Sequence, residues 1–467
     1  MKKFRTMIGA GALAVALGVA GLASPAKAQV VQPFASGFQL QNLSSTTANI
    51  TITFYAEDSA TAQGDPFQST VGANSSVTYA VLDGGEGRPS LPDGFAGSAV
   101  ISSDQKVAAI VNLVSPDISL SFGGEAYVGV SEGSTNVSLP LLFKDYFGFN
   151  TFFNVQNVGS GSATVTVTYN GTVDGTAIAP VTTDPITIPA GAAHRFDQNA
   201  DADLPTNFIG SATVSSTGSD VAAVGVQVGP TTALVYNGFA GGSTEPVFPL
   251  INTNRFDFVT GISIQNTGAT DTNVTVSYTP GAEGTACTET KAIPAGESTT
   301  FAIDAFRITV AGETCANGAA FLGSAAVTAN SANVDLVAAV NQLNQSTNKG
   351  GTYAAFSGDA GSQTVVFPLV QDRFFGYFTG LGITNIGDVA TSVTCDFSGT
   401  DFTQSTESAL APGASITFIQ DNQIAAGYNG SAVCTADAAG ARIVGIANQV
   451  LVTGDKDTFF VYEGPNN

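Results

Sequence analysis

The sequence predicts an all-β protein made of four tandem β-sandwich domains behind an N-terminal signal peptide. Three observations carry this prediction. The tripeptide Gly-Ser-Ala recurs at Gly97, Gly210, Gly323 and Gly430, at spacings of 113, 113 and 107 residues. Short segments alternate apolar and polar residues with the period of a strand. Beyond residue 28 no stretch sustains a helical period. A period this long marks a domain repeat rather than a solenoid turn. The boundaries read from it are a signal peptide at 1–28 and repeats at 29–130, 131–242, 243–361 and 362–467.

Lys2, Lys3 and Arg5 precede an apolar run from Met7 to Leu22, which ends at the small-x-small site Ala26-Lys27-Ala28. This is the pattern of a secretory signal cleaved after Ala28, and it predicts an exported chain with no membrane span once processed.

Within each repeat the landmarks come in a fixed order. Pro140-Leu141, Pro249-Leu250 and Pro368-Leu369 each stand 17 residues ahead of an Asn, at Asn157, Asn266 and Asn385. Aromatic-rich approaches lie between them, such as Tyr146-Phe147-Gly148-Phe149 and Arg373-Phe374-Phe375-Gly376-Tyr377. Their recurrence at the start of successive repeats is read as packing between domains in preference to ligand binding. The first repeat lacks this approach, keeping only Pro33-Phe34 to Phe38 ahead of Asn42. Truncation is the plainer reading, and a sheet edge that another chain completes is the alternative.

Next come Val165-Thr166-Val167-Thr168-Tyr169, Val274-Thr275-Val276-Ser277-Tyr278 and Val393-Thr394-Cys395-Asp396-Phe397. Side chains alternate across a strand, so each of these needs one buried and one wet face. Then Gly191, Gly296 and Gly413 each precede an aromatic by five residues, and Asn74 takes that place in the first repeat. Asn tolerates a left-handed backbone better than most residues after Gly, which predicts positive φ there. Gly-Ser-Ala opens the following strand. After it come runs without alternation, such as Val221-Ala222-Ala223-Val224, expected of strands covered on both sides. A last strand carries Tyr127, Tyr236, Tyr353 or Tyr462. Six or seven short strands with Gly, Pro and Asn turns describe a sandwich.

Cys395 and Cys434 replace inward-facing Val residues of the sister repeats, so a buried Cys395–Cys434 disulfide is expected, with Cys287–Cys315 tying two loops of the third repeat. Pairing within repeats follows if each repeat folds alone. Disulfides also fit an oxidising, extracellular location.

The net charge is −22, and cleavage after Ala28 removes four bases and no acid, leaving −26. That balance argues against nucleic acid as a partner, because phosphate binding rests on Lys and Arg. His194 is the only histidine, and sister repeats place Thr299 and Ile416 at its position, so it reads as a surface residue. No nucleophile elbow, phosphate-binding loop or metalloprotease helix is present. Asp197, Asp201 and Asp203 form the densest acidic cluster and are the one candidate for Ca²⁺, though they lack the ordered spacing of a calcium loop. No other cofactor is expected, and the chain is read as non-enzymatic.

The repeated signature resembles that of uncharacterised secreted tandem-repeat proteins of filamentous bacteria. It comprises the aromatic approach, Gln-Asn before Gly, Val-Thr-Val-Thr-Tyr, Pro-x-Gly, Leu91-Pro92 with Gly94-Phe95-Ala96-Gly97-Ser98-Ala99, and Val-Ala-Ala-Val. The resemblance implies immunoglobulin-like sandwiches and a cell-surface or extracellular structural role, and it brings no catalytic residues. The resulting expectation is an exported rod of four domains that contributes to a surface layer, sheath, fibre or matrix by self-association. An adhesin or carbohydrate-binding array, with glycans or other surface proteins as partners, is the alternative, and a secreted hydrolase a minor one.

Overall fold

The computed structural model describes residues 34–466 apart from 81–90, 93, 115–123, 256, 303–313, 317, 348 and 452–456. The expected signal peptide, residues 1–28, lies outside the described residues. What is described is all-β, in antiparallel sheets, and the strands fall into four sets that follow the repeats.

The second repeat shows the plan. One sheet orders Ala193–Asp197, Asn150–Asn157, Val221–Val228 and Ala233–Asn237; the other carries Ala163–Val173, Phe208–Thr217 and the leading strand Asn136–Lys144. The leading strand recurs as Val247–Thr253 and Thr364–Phe374. Pro-Leu sits at a register shift in each, between Leu139 and Leu142, Phe248 and Ile251, and Phe367 and Val370. A bulge is where a strand tolerates proline, which has no N–H for the ladder. The freed Leu carbonyl accepts the hydroxyl of the repeat's own last-strand tyrosine, Tyr236 to Leu141 at 2.7 Å, Tyr353 to Leu250 at 2.5 Å and Tyr462 to Leu369.

The repeated Asn is also explained. Asn42, Asn157, Asn266 and Asn385 are fully buried. Each amide donates to carbonyls that close the following turn and tie the two sheets together, as Asn157 does to Gly161 and Ile188 at 2.7 and 2.8 Å. Burying an amide requires such partners. The turn before the aromatic has φ of +79° at Gly191, +77° at Gly296, +78° at Gly413 and +50° at Asn74, as their residue types predict.

The arrangement of the repeats departs from the expected rod. The last strands Gly124–Val128, Ala233–Asn237, Lys349–Ala354 and Phe459–Glu463 touch one another in a closed cycle: first to second, second to third, third to fourth, and fourth back to first. Every hydrophobic core crosses a repeat boundary. Val224, Val226, Ala233 and Val235 of the second repeat complete the first repeat's core; Ala339 of the third enters the second's; Ile446, Phe459 and Val461 of the fourth enter the third's; Ile110 and Ala126 of the first enter the fourth's. Head-to-tail contacts that return to their start make a ring. The runs without alternation are covered on both faces because the second cover is the neighbouring repeat.

Two sequence landmarks recognise each other at these junctions. Ser98 donates its hydroxyl to the carbonyl of Gly191 at 2.7 Å, Ser211 to Gly296 at 3.1 Å and Ser324 to Gly413 at 2.7 Å. The serine of Gly-Ser-Ala thus reads the glycine of the next repeat's turn. At the closing junction the buried Ser431 hydroxyl has no such partner. There Gln39 donates to the carbonyls of Pro368 at 2.6 Å and Gly430 at 3.4 Å.

Both disulfides pair as expected, Cys287 with Cys315 and Cys395 with Cys434. The second links directly opposed residues on adjacent strands of one sheet and is fully buried. With its cysteines 39 positions apart in the sequence, the chain-entropy relation gives it about 4 kcal/mol. A Cys395→Ala/Cys434→Ala variant is expected to lose most of that in urea titrations, and an unchanged midpoint would refute the estimate.

Candidate functional site

Among the described residues the most exposed large apolar side chains are Phe147 and Phe375, at 83% and 85% exposure. Both stand at hairpin tips. Tyr146 and Phe149 pair across a two-residue turn of Phe147 and Gly148, with φ of +49° and +80°. Phe374 and Tyr377 flank Phe375 and Gly376, with φ of +49° and +85°. Positive φ at both central positions is the type I′ geometry, which favours Asn or Gly because a bulky side chain is strained there. The tips are not wedges between domains, as the sequence had been read. They point into solvent, since each turn reverses the chain at the far end of two paired strands.

Each tip is backed by a second aromatic, Tyr146 against Phe147 with ring centroids 4.7 Å apart and Phe374 against Phe375 at 4.5 Å. Phe143 stacks on Tyr146 in the first of them. The third repeat turns at the same place, between Arg255 and Phe258; its Phe256 lies outside the described residues. Equivalent points of a closed ring lie on one face of it, so the hairpins form a one-sided set.

Beside the first tip a groove of about 230 Å³ is lined by Gly148, Asn150, Arg195, Asp197, Asn199 and Pro230, among others. Arg195 lies over the Phe152 ring at 3.8 Å and reaches Asp197 at 3.3 Å. Asp197 belongs to the calcium candidate. Its carboxylate also accepts the Asn199 N–H, Asp201 accepts that of Asp203, and Lys144 donates to the carbonyls of Asp201 and Leu204. Among the described residues the three acids do not converge; the group that does is Glu57, Asp58 and His194, with ligand atoms within 4.8 Å of one another. His194 Nδ1 lies 2.9 Å from Asp58, so this half-buried imidazole bridges the first and second repeats.

The outward faces of the flanking sheets carry uncharged hydroxyls. Thr168 meets Thr182 at 3.1 Å, Thr275 meets Thr290 at 2.9 Å and Thr394 meets Ser405 at 2.8 Å.

At the ring's centre, acids the sequence reading did not single out hold all four repeats. The Asp457 carboxylate accepts the Thr232 hydroxyl of the second repeat and the Gly350 N–H of the third, the latter at 3.1 Å, and its carbonyl accepts Gly124 N–H of the first at 3.2 Å. Glu125 accepts Val461 N–H at 2.8 Å, and Glu463 accepts Ala354 N–H. Burial pushes Asp457 up to about 7, against its hydrogen bonds from Thr232, Gly350 and Phe459 and the nearby Lys349 ammonium. Glu463 is likewise raised to about 7 by burial, and Glu125 well above the carboxylate range by burial and by Asp457. Glu125 stands where the sister repeats carry Leu234, Gly351 and Phe460, so no periodic signal marked it.

Among the described residues no helix is long and apolar enough to cross a membrane. No protein-family model matches the chain, and no curated protein matches it in sequence.

Proposed function

We propose that this is an exported, non-enzymatic structural protein of a cell-surface layer, sheath or matrix, built of four immunoglobulin-like sandwiches and assembling with its own copies through the aromatic hairpin tips. The observation that carries this reading is the strained, solvent-facing pair Phe147 and Phe375. A fold keeps a bulky residue in an unfavourable backbone region where the side chain has a use. Uncharged Thr-rich faces offer further contacts at little desolvation cost compared with charged ones.

The test is a Phe147→Asn/Phe375→Asn variant. Asn suits the type I′ turn, so the variant is expected to melt at or above the wild-type temperature while losing self-association, read by light scattering and negative-stain microscopy at micromolar protein. Wild-type rings that stay single at these concentrations would sink the proposal.

A second reading, glycan binding, is supported by the groove beside the first tip, where Asn150, Arg195, Asp197 and Asn199 offer hydrogen bonds next to aromatic rings. Ligand-dependent quenching or a glycan-array signal lost on Asn199→Ala would favour it.

A further inference from the structure

Glu57 and Asp58 of the first repeat and His194 of the second bring two carboxylates and an imidazole to the seam between these repeats, with ligand atoms all within 4.8 Å of one another. A mixed nitrogen and oxygen set suits first-row divalent transition ions, whereas Ca²⁺ and Mg²⁺ take oxygen ligands.

The scaffold does not call for these residue types here. The strand registers align Phe54, Tyr169, Tyr278 and Phe397, each opposite the alanine of Gly-Ser-Ala. Counted on from them, the positions of Glu57 and Asp58 are held by Thr172 and Val173, by Gly281 and Ala282, and by Thr400 and Asp401. The position of His194 is held by Thr299, Ile416 and Val77. At these positions the second-to-third and third-to-fourth seams carry no ionisable group, and the closing seam carries one acid and no imidazole. The full ligand set exists at the first seam alone.

Main-chain contacts fix the three groups across that seam. Asp58 N–H donates to the Ala193 carbonyl at 3.0 Å and Arg195 N–H to the Glu57 carboxylate at 3.2 Å, so the first repeat grips the strand Ala193–Asp197 on either side of His194. Glu57 N–H donates to the Ala96 carbonyl at 3.0 Å, which anchors the acids to their own repeat. The imidazole packs edge-on against Phe196, with ring centroids 4.8 Å apart. Ligands held in place spare an ion much of the cost of ordering them.

The spacing is that of neighbouring ligands. His194 Nδ1 stands 2.9 and 3.1 Å from the two Asp58 oxygens. Bonds of about 2.1 Å meeting at a right angle set two ligand atoms about 3.0 Å apart. Glu57 is exposed, and a rotation of its side chain brings the third ligand in. The Asp58 side chain is 51% exposed and that of His194 21%, so an ion reaches them from solvent. Two carboxylates offset the charge of a dication, and the chain's net charge of −22 draws cations toward it.

We propose that Glu57, Asp58 and His194 bind one first-row divalent ion, Zn²⁺ being the representative, and that the ion clips the first repeat to the second. Its ligands come from two repeats, so it binds the assembled seam and stabilises it by mass action.

The test uses the chain beginning at Gln29, stripped with a chelator, and Zn²⁺ alone. His194 is the sole histidine, so in protein labelled with ¹⁵N-histidine a single imidazole reports on the site. Zn²⁺ is expected to shift the resonance of the metal-bound ring nitrogen and to titrate by calorimetry with a stoichiometry of one. At about a hundred-fold excess over Kd it should raise Tm by about 2–3 °C. Ca²⁺ at the same concentration is expected to leave the imidazole spectrum unmoved. Two variants are each expected to weaken Zn²⁺ binding at least ten-fold while still melting cooperatively without metal. One is His194→Thr, which installs the third repeat's residue. The other is Glu57→Gln/Asp58→Asn, where Asn tolerates the φ of +57° at position 58.

An imidazole spectrum unchanged by Zn²⁺ overturns the proposal, and so does wild-type affinity in His194→Thr, because any bound ion then lies elsewhere. Wild-type affinity in Glu57→Gln/Asp58→Asn overturns it as well, since the imidazole would be acting without the acids.

Discussion

The melting temperature is expected to fall as pH rises from 5 to 8, the reverse of the behaviour of salt-bridged carboxylates. The unfolded Asp and Glu titrate near 4, whereas burial raises Asp457 and Glu463 to about 7 in the ring. Between these values the folded state binds more protons than the unfolded one, so stability is greatest below about 4 and is lost as pH climbs through 7. Glu125, fully buried and facing Asp457, acts in the same direction, while the Lys349 ammonium opposes it; among the described residues Tyr377 also lies near Asp457 and Tyr353 near Glu463.

The drop is expected to be on the order of 5 °C or more, and a Glu125→Gln/Asp457→Asn/Glu463→Gln variant should flatten it. A wild-type curve that is level or rising across this window would refute the assignment. Asp457→Ala is a harsher probe, since it leaves Thr232 and Gly350 without their acceptor. Each unsatisfied buried group costs about 1–3 kcal/mol, enough for urea titration to detect at any pH.

The excised second repeat, residues 131–242, is expected not to fold cooperatively. Val224, Val226, Ala233 and Val235 pack against the first repeat, and Ala339 of the third closes its other side. Removing the neighbours exposes this surface, at about 25 cal/mol for each Å², on a domain whose net stability would be only a few kcal/mol. The fragment should bind a hydrophobic dye and show no sigmoidal melt, while the full ring unfolds in one calorimetric transition. A fragment with its own sharp transition, or a full chain melting in four steps, would show that the repeats are independent.

Where a property depended on one residue's own geometry, the sequence disclosed it. Asn74 in place of Gly191, Gly296 and Gly413 announced positive φ, and Cys395 and Cys434 at inward valine positions announced a buried bond. Where a property depended on what lies across a junction, it did not. An unalternating run such as Val221–Val224 is the same string whether its second cover is its own sandwich or the next one, so closure into a ring left no mark in it. For the same reason the cores that cross repeat boundaries were not foreseen, although the disulfide pairing within repeats holds. The tips were misread because aromatic residues near a repeat boundary suggested packing. The signal against that was Gly148 and Gly376 directly after Phe147 and Phe375, a two-residue turn between strands, which sends the intervening side chain outward. Asp457 and Glu125 are legible only once four strands meet, because neither is repeated.

Closure also constrains the gene. In an open array, recombination between similar repeats can add or remove one, and each product still stacks. Here the contact from Gln39 to Pro368 exists only when the fourth copy arrives beside the first. A three-copy or five-copy allele would leave that seam unmatched and the central acids without their donors. Copy number in this lineage should therefore be held at four by folding, while the hairpin tips and outer faces are free to diverge.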